Sequence, residues 1–309
     1  MLEARQGHFI WAACHPFLAA CVSADARLIL SNCCGRELEM QNSRPYYPPV
    51  LRKSILDMAF AGSAVHIGCA FSIVEILAVL HRSHLRFPGN DPEHADRDFL
   101  VLSKGHGVMA QYACMHERGW LPKSALARYF KDGTHLRGLG EAAVTGLEVT
   151  GGSLGHGLSV GAGLALAAKF KQSDQRIYAI VGDGEANEGP IWEAMLFAAH
   201  FRLDNLLVVI DKNDFQAMGA TRDVLNGGDL AAKFQAFDFD TETVDGHDEA
   251  ALDGALNTLK TLRNGRPKAI IAQTVKGKGV SFMEGNNVWH YTRLTPETYA
   301  AAIGEVEST

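Results

Sequence analysis

Asp183 and Asn213 each stand just past a short apolar run, Ile177 to Val181 and Leu206 to Ile210. Asp183 lies inside Gly182-Asp183-Gly184-Glu185, where the glycines let the backbone approach a ligand closely. A carboxylate and an amide oxygen are hard donors, suited to a hard cation that holds a diphosphate. Gly-Asp-Gly alone is a common loop, so the chemistry depends on what brings the two residues together. The segment between them supplies the means. Pro190 to Arg202 reads as a helix, with proline at its first position and apolar residues at Ile191, Trp192, Met195, Leu196 and Ala199. Strand, helix and strand over this length predict a right-handed parallel unit. Such a unit places both polar residues on the carboxyl edge of one sheet, where open α/β folds bind ligands.

Other candidates share that placement. His106 follows a predicted strand Phe99 to Leu102, within Ser103-Lys104-Gly105-His106-Gly107. Gly152, Ser153 and Leu154 precede a predicted helix from Leu158 to Phe170, and Lys276 follows a strand Ala269 to Val275. A single histidine at such a position is more often structural, but several groups converging on one edge point to a site. The approximate dinucleotide spelling Gly138-Leu139-Gly140-Glu141-Ala142-Ala143 lies in a loop and follows no strand, which argues against a Rossmann site. His81 and His84, at i and i+3 of a helix, have no evident third ligand and read as a solvated face.

The elements that must position these residues alternate. Helices are expected at 51–61, 73–83 (with Ser72 and Glu75 at capping-box spacing), from Gly107 to about Arg118, at 124–130, 250–262, and from Thr295-Pro296 to about Ile303. Residues 131–153 read as a Gly-rich loop and 214–248 as mostly loop with short elements. Strands alternating with helices predict an α/β fold, a doubly wound and mostly parallel sheet with helices on both faces.

With 309 residues, 47% apolar and 21% charged, the chain has the composition of an ordinary globular protein. A net charge of −6 leaves no basic footprint for nucleic acid, and no apolar run is long enough to span a membrane. Four of six cysteines (Cys14, Cys21, Cys33, Cys34) fall in the first 34 residues, with Cys69 and Cys114 in the body. That distribution suits a reducing cytoplasm. Leu18-Ala19-Ala20-Cys21 has a lipoprotein-like spelling, but His15 and Pro16 break the preceding apolar run, so the match is read as accidental. Residues 1–44 read as an N-terminal extension, disordered or produced by a start assigned upstream of Met40, and 45–309 as the functional domain.

From Gly182 to Asn213 the chain resembles the diphosphate and magnesium motif of the thiamine-diphosphate enzymes, and most closely the amino-terminal half of transketolase. The segments LSKGHG, GGSLGHGL and VKGKGVSFMEGNNVWH match further transketolase segments in the expected order. The resemblance spans about residues 50 to 305 and implies a thiamine-diphosphate-binding fold. It implies magnesium on Asp183, Asn213 and the main-chain oxygen of Phe215. It implies thiamine diphosphate contacts from His106, Gly152, Ser153, Leu154, Gly184, Glu185, Asn213, Lys276 and His290. His66, His106 and His290 are the implied catalytic histidines, and Glu188 resembles an acidic residue near a subunit interface. The implied activity is transfer of a two-carbon ketol unit from a ketose or ketose phosphate to an aldose.

The pyrimidine-binding domain, with its activating glutamate, has no counterpart in the sequence. The resemblance therefore implies a split transketolase whose partner subunit carries that domain, with a homodimeric contact and a heterotetramer expected. Three positions depart from the family pattern, all on the substrate side: Ile67 after His66, Leu139 where a pocket histidine is usual, and Tyr291 after His290. His135 is a weaker candidate for the missing imidazole. Two other assignments share the motif spacing: another split thiamine-dependent enzyme of the 2-oxo acid dehydrogenase or acetoin type, and a cofactor-binding subunit without turnover.

Overall fold

The wholly apolar run after Asn205, Leu206 to Ile210, forms most of the middle strand of a five-stranded sheet. In the computed structural model, which describes residues 44–62 and 65–308, the strands are β1 (Phe99–Leu102), β2 (Ile177–Gly182), β3 (Leu206–Lys212), β6 (Asp240–Asp245) and β7 (Lys268–Gln273). Their order is β1-β2-β3-β7-β6, with every pair parallel. Ile177 pairs with Leu206 and Gly182 with Asp211, so β2 and β3 end level with each other. The predicted parallel unit is therefore present.

Alternation along each strand divides the core in two. Leu207 and Val209 face one cluster with Leu100, Ile180 and Ile270, while Val208 and Ile210 face the other with Val101, Ala179 and Ile271. The first cluster is closed by α1 (Pro48–Ala61), α2 (Ile67–Phe71), α3 (Val74–Val79), α4 (Val108–Glu117), α10 (Glu249–Thr261) and α11 (Pro296–Glu307). The second is closed by α6 (His156–Phe170), α7 (Gly189–His200) and α9 (Leu230–Ala236). Helices thus cover both faces, as the alternation predicts. The short helices α5 (Lys123–Leu126) and α8 (Thr221–Val224) and a two-stranded hairpin, β4 (Phe215–Gln216) with β5 (Gly219–Ala220), complete the elements.

Several local expectations need correction. Ser72 does not cap a helix. Its hydroxyl donates to Asp211 Oδ2 at 2.8 Å and lies 3.2 Å from Cys69 O. Glu75 turns instead to Arg52 (2.7 Å) and His247 (2.9 Å). His81 and His84 are not solvated: α3 runs into a π-turn, Leu80–His84, that buries both. His84 Nε2 then meets Asp253 at 2.9 Å, and Arg118 Nε donates to His81 Nδ1 at 3.2 Å. The helix expected at 124–130 ends at Leu126, and Phe130 takes a positive φ of 60°. At Thr295 the cap is as predicted, with a reciprocal Thr295–Thr298 capping box.

The extension, Met40, the Leu18–Cys21 match and the four early cysteines lie outside the described residues. Cys69 and Cys114 are buried and unbridged. Among the described residues no helix is long and apolar enough to cross a membrane.

Candidate active site

Four adjacent strands deliver their following residues to one edge. β1 leads into Ser103, Lys104 and His106, β2 into Asp183, β3 into Asn213, and β7 into Thr274 and Lys276. Between them lies a cavity of about 610 Å³. His106, Asp183, Asn213, Phe215, Lys276 and His290 line it, together with Leu154, Gly184, Glu185 and Glu188.

Asp183 is 4% exposed. Gly184 N donates to its Oδ1 at 2.8 Å and Asp214 N to its Oδ2 at 2.7 Å. Burial, reinforced by the Asp211 carboxylate, still pushes its pKa up to about 6. A carboxylate held at such a cost favours a cation beside it. Asn213 Nδ2 donates to Asp211 Oδ2 at 2.8 Å, and Asn213 Oδ1 accepts from Phe215 N at 3.1 Å. A carboxylate can only accept, so Asp211 fixes which end of the Asn213 amide is which. Among the described residues, no three His, Cys, Asp or Glu side chains converge into a metal centre. A cation beside Asp183 would draw on amide, main-chain and ligand oxygens, the donor set that suits magnesium.

Lys276 is 1% exposed. Its Nζ meets His290 Nδ1 at 2.6 Å, Asn287 Oδ1 at 3.0 Å and Gln216 O at 3.4 Å. Among the described residues it has no carboxylate within ion-pair reach, and burial lowers its pKa. A buried cation held by neutral acceptors matches an anionic ligand such as a diphosphate. Because the ammonium only donates, His290 Nδ1 accepts and the ring proton sits on Nε2.

Three imidazoles group at the other end. The His66 ring is 4.4 Å from His106 and 5.3 Å from His290, centroid to centroid. Burial, then the neighbouring histidines, lowers His66 to about 3. Burial, then Lys276, lowers His290 to about 4, and burial also lowers His106. All three are therefore neutral at pH 7, able to donate and accept with hydroxyl groups.

The glycines serve close approach. A Cβ on Gly105 would lie 3.1 Å from Gly152 N, so the His106 turn and the 131–153 loop cross backbone to backbone. Gly152 takes φ +126° and touches the Leu139 side chain. Of the predicted contacts, Gly152 and Ser153 sit beside the cavity rather than on its lining, while Leu154 lines it. Glu185 lines it too, but its carboxylate accepts from Ser103 Oγ (2.6 Å), Gly155 N (2.8 Å) and Gly182 N (3.0 Å). That carboxylate ties three loops together. His66 lines an adjoining cavity with Leu139 and Tyr291, and His135 lines neither, its exposed ring pairing with Glu141 at 3.0 Å.

Beneath the site is a network the sequence reading missed. Fully buried Asp211 accepts from Lys104, Thr274, Ser72 and Asn213. A usable signal existed: a charged residue ends the apolar run of β3, and a buried charge requires a partner.

The family model for "Transketolase, thiamine diphosphate binding domain" matches residues 50–303. The chain is 39% identical over 263 residues to one of the apulose-4-phosphate transketolase subunits of Actinobacillus succinogenes, covering 84% of this chain and 93% of that protein. It is 37% identical over 270 residues to the 6-deoxy-6-sulfo-D-fructose transketolase subunit SqwG of a Clostridium species, covering 87% and 98%. The transketolase structure from Leishmania mexicana superposes with a TM-score of 0.77 at 30% identity. That match covers 84% of this chain but 40% of the other, so the chain spans less than half of such a full transketolase. By sequence and by fold, the chain belongs to the transketolase family and corresponds to its thiamine diphosphate binding domain.

Proposed function

We propose that this chain is the diphosphate-binding subunit of a split transketolase, a transferase moving a two-carbon ketol unit from a ketose or ketose phosphate to an aldose. The observation that carries this reading is one cavity joining Asp183, Asn213 and Lys276, which has no ion-pair partner among the described residues, to His106 and His290, with the His66 ring packed against both. Asp183, Asn213 and the Phe215 carbonyl would hold Mg²⁺. Lys276, His106, His290, Gly184, Asn213 and the Gly152-Ser153-Leu154 turn would hold thiamine diphosphate, with Glu185 bracing the turn. When bound, thiamine diphosphate supplies the carbon nucleophile and electron sink for carbon–carbon cleavage.

The chain's own residues bind, orient and move protons. Lys276 neutralises diphosphate charge and fixes the His290 tautomer. His290 Nε2–H then faces substrate as a donor, and neutral His66 and His106 exchange protons with its hydroxyl groups. Glu188, exposed on the cavity lining, would meet a second subunit. The two relatives named as transketolase subunits are covered almost completely, which supports a separate partner carrying the pyrimidine-binding domain. We assign a heterotetramer with two copies of each chain, located in the cytoplasm in keeping with the free buried thiols of Cys69 and Cys114.

Tagging this chain in its host, purifying the complex and assaying it beside the isolated chain tests the proposal. The complex is expected to transfer two carbons between sugar phosphates in a magnesium-dependent way, and the chain alone to be inactive. Full activity of the isolated chain, or a complex that consumes pyruvate and no ketose, would overturn it.

A further inference from the structure

Next to the histidine cluster is a second cavity of about 380 Å³, and its chemistry differs from that of the first. His66, packed against His106 and His290, is part of its lining. Its walls are largely carbon: Val65, Phe130, Leu139 and Tyr291, with glycine backbone between them. The Tyr291 ring lies 4.7 Å from the His66 ring, centroid to centroid. Leu139 is fixed from behind, because its Cδ1 occupies the space beside Gly152 that a Cβ there would enter, at 2.9 Å. Both side chains thus stand directly beside the groups that would contact substrate. The two charged lining residues, Arg137 and Glu141, are partly exposed and face each other, with Arg137 Nε 3.8 Å from Glu141 Oε1.

A fully hydroxylated sugar fits such a lining poorly. Each hydroxyl turned toward Leu139 or the Tyr291 ring leaves water without a replacement partner. A carbon lacking a hydroxyl there gains contact area instead. We infer that the juxtaposition of Leu139 and Tyr291 with His66 makes this chain select a sugar that lacks a hydroxyl on the segment next to its reacting carbons, a deoxy substrate. The inference rests on the two-carbon transfer proposed above and specifies the substrate class of that site. Leu139 is its specificity-determining residue, and Tyr291 forms the second wall.

The test uses the purified complex and a panel of aldose phosphates of one chain length, in which each secondary hydroxyl is removed in turn, beginning with ribose 5-phosphate and 2-deoxyribose 5-phosphate. At least one deoxy acceptor is expected to exceed its hydroxylated parent in kcat/KM by about ten-fold, the effect of one unpaired hydroxyl. Leu139→His, which puts a hydrogen-bonding ring into the cavity that His66 also lines, is expected to reverse that preference. Tyr291→Gly, which removes the other apolar wall, should reduce it. Transfer to every hydroxylated parent in preference to its deoxy analogues, or an unchanged ratio in Leu139→His, would overturn the inference and leave the proposed activity standing. No transfer to any acceptor would overturn both.

Discussion

The Asp211 network makes a quantitative prediction, because one carboxylate serves both folding and the geometry of the site. Asp211 is 0% exposed and accepts from Lys104, Thr274, Ser72 and Asn213. The Lys104 side chain is 7% exposed. Removing one member of a buried ion pair costs about 3–5 kcal/mol, mostly through the charge left behind. Lys104→Met leaves a carboxylate with three neutral donors and should fall near the lower figure. Asp211→Asn leaves a buried ammonium without its ion-pair partner and should fall near the upper one. The double substitution removes both charges, so its loss should not exceed that of the worse single change, far from the sum. Urea unfolding of the purified chain at pH 7 measures all three.

A second readout separates folding from positioning. An asparagine at 211 can offer either end of its amide to Asn213, so the Asn213 oxygen loses its fixed direction. Mn²⁺, titrated with thiamine diphosphate as a magnesium probe, should bind about 10–100-fold more weakly to Asp211→Asn, the usual effect of losing a partner behind a metal ligand. Lys104→Met keeps the Asp211–Asn213 bond and should bind closer to wild type. A stability loss below about 1 kcal/mol in Asp211→Asn, or equal Mn²⁺ affinity in the two single variants, would refute the reasoning.

Two further predictions concern the charged and titratable side chains of the site. Lys276→Met should raise the urea midpoint of the unliganded chain, because it deletes an uncompensated buried cation, and should weaken thiamine diphosphate binding about ten-fold or more. A loss of stability with unchanged coenzyme affinity would make Lys276 a structural residue. The histidines predict acid sensitivity. His66 and His290 have folded values of about 3 and 4, below the unfolded value of roughly 6.5. The unfolded chain therefore takes up protons first, and stability is lost as pH falls below about 6.5 toward the folded values. His66→Phe should flatten this loss in urea unfolding between pH 7 and 5, and an unchanged slope would contradict the assignment.

The parts of the fold that were legible in the sequence are those set by burial on both faces of a strand. Val208-Val209-Ile210 cannot be other than interior, and the few residues that follow such a run reach the sheet edge. Asp183, Asn213, His106 and Lys276 were therefore locatable without coordinates. β6 escaped because Asp240-Thr241-Glu242-Thr243-Val244-Asp245 is an edge strand, polar and only partly buried. Ser72 and Glu75 misled because capping spacing is local, whereas their partners Asp211, Arg52 and His247 are set by tertiary packing. His81 and His84 were misplaced for a related reason: a π-turn shifts the helical face, and i, i+3 spacing carries no trace of it. The two-cavity division, with His66 beside Leu139 and Tyr291, depends on loops 131–153 and 287–292 meeting, which no periodicity encodes.

The central claim is that Asp183 and Asn213 together hold the cation that anchors the diphosphate. Calorimetric titration of thiamine diphosphate, with and without magnesium, into the complex carrying wild-type chain or Asp183→Ala tests it directly. Magnesium-dependent binding is expected in the wild type and a loss of about 100-fold or more in the variant, with removal of magnesium having little further effect there. Equal affinity in the two complexes, or an undiminished response to magnesium in Asp183→Ala, would contradict it.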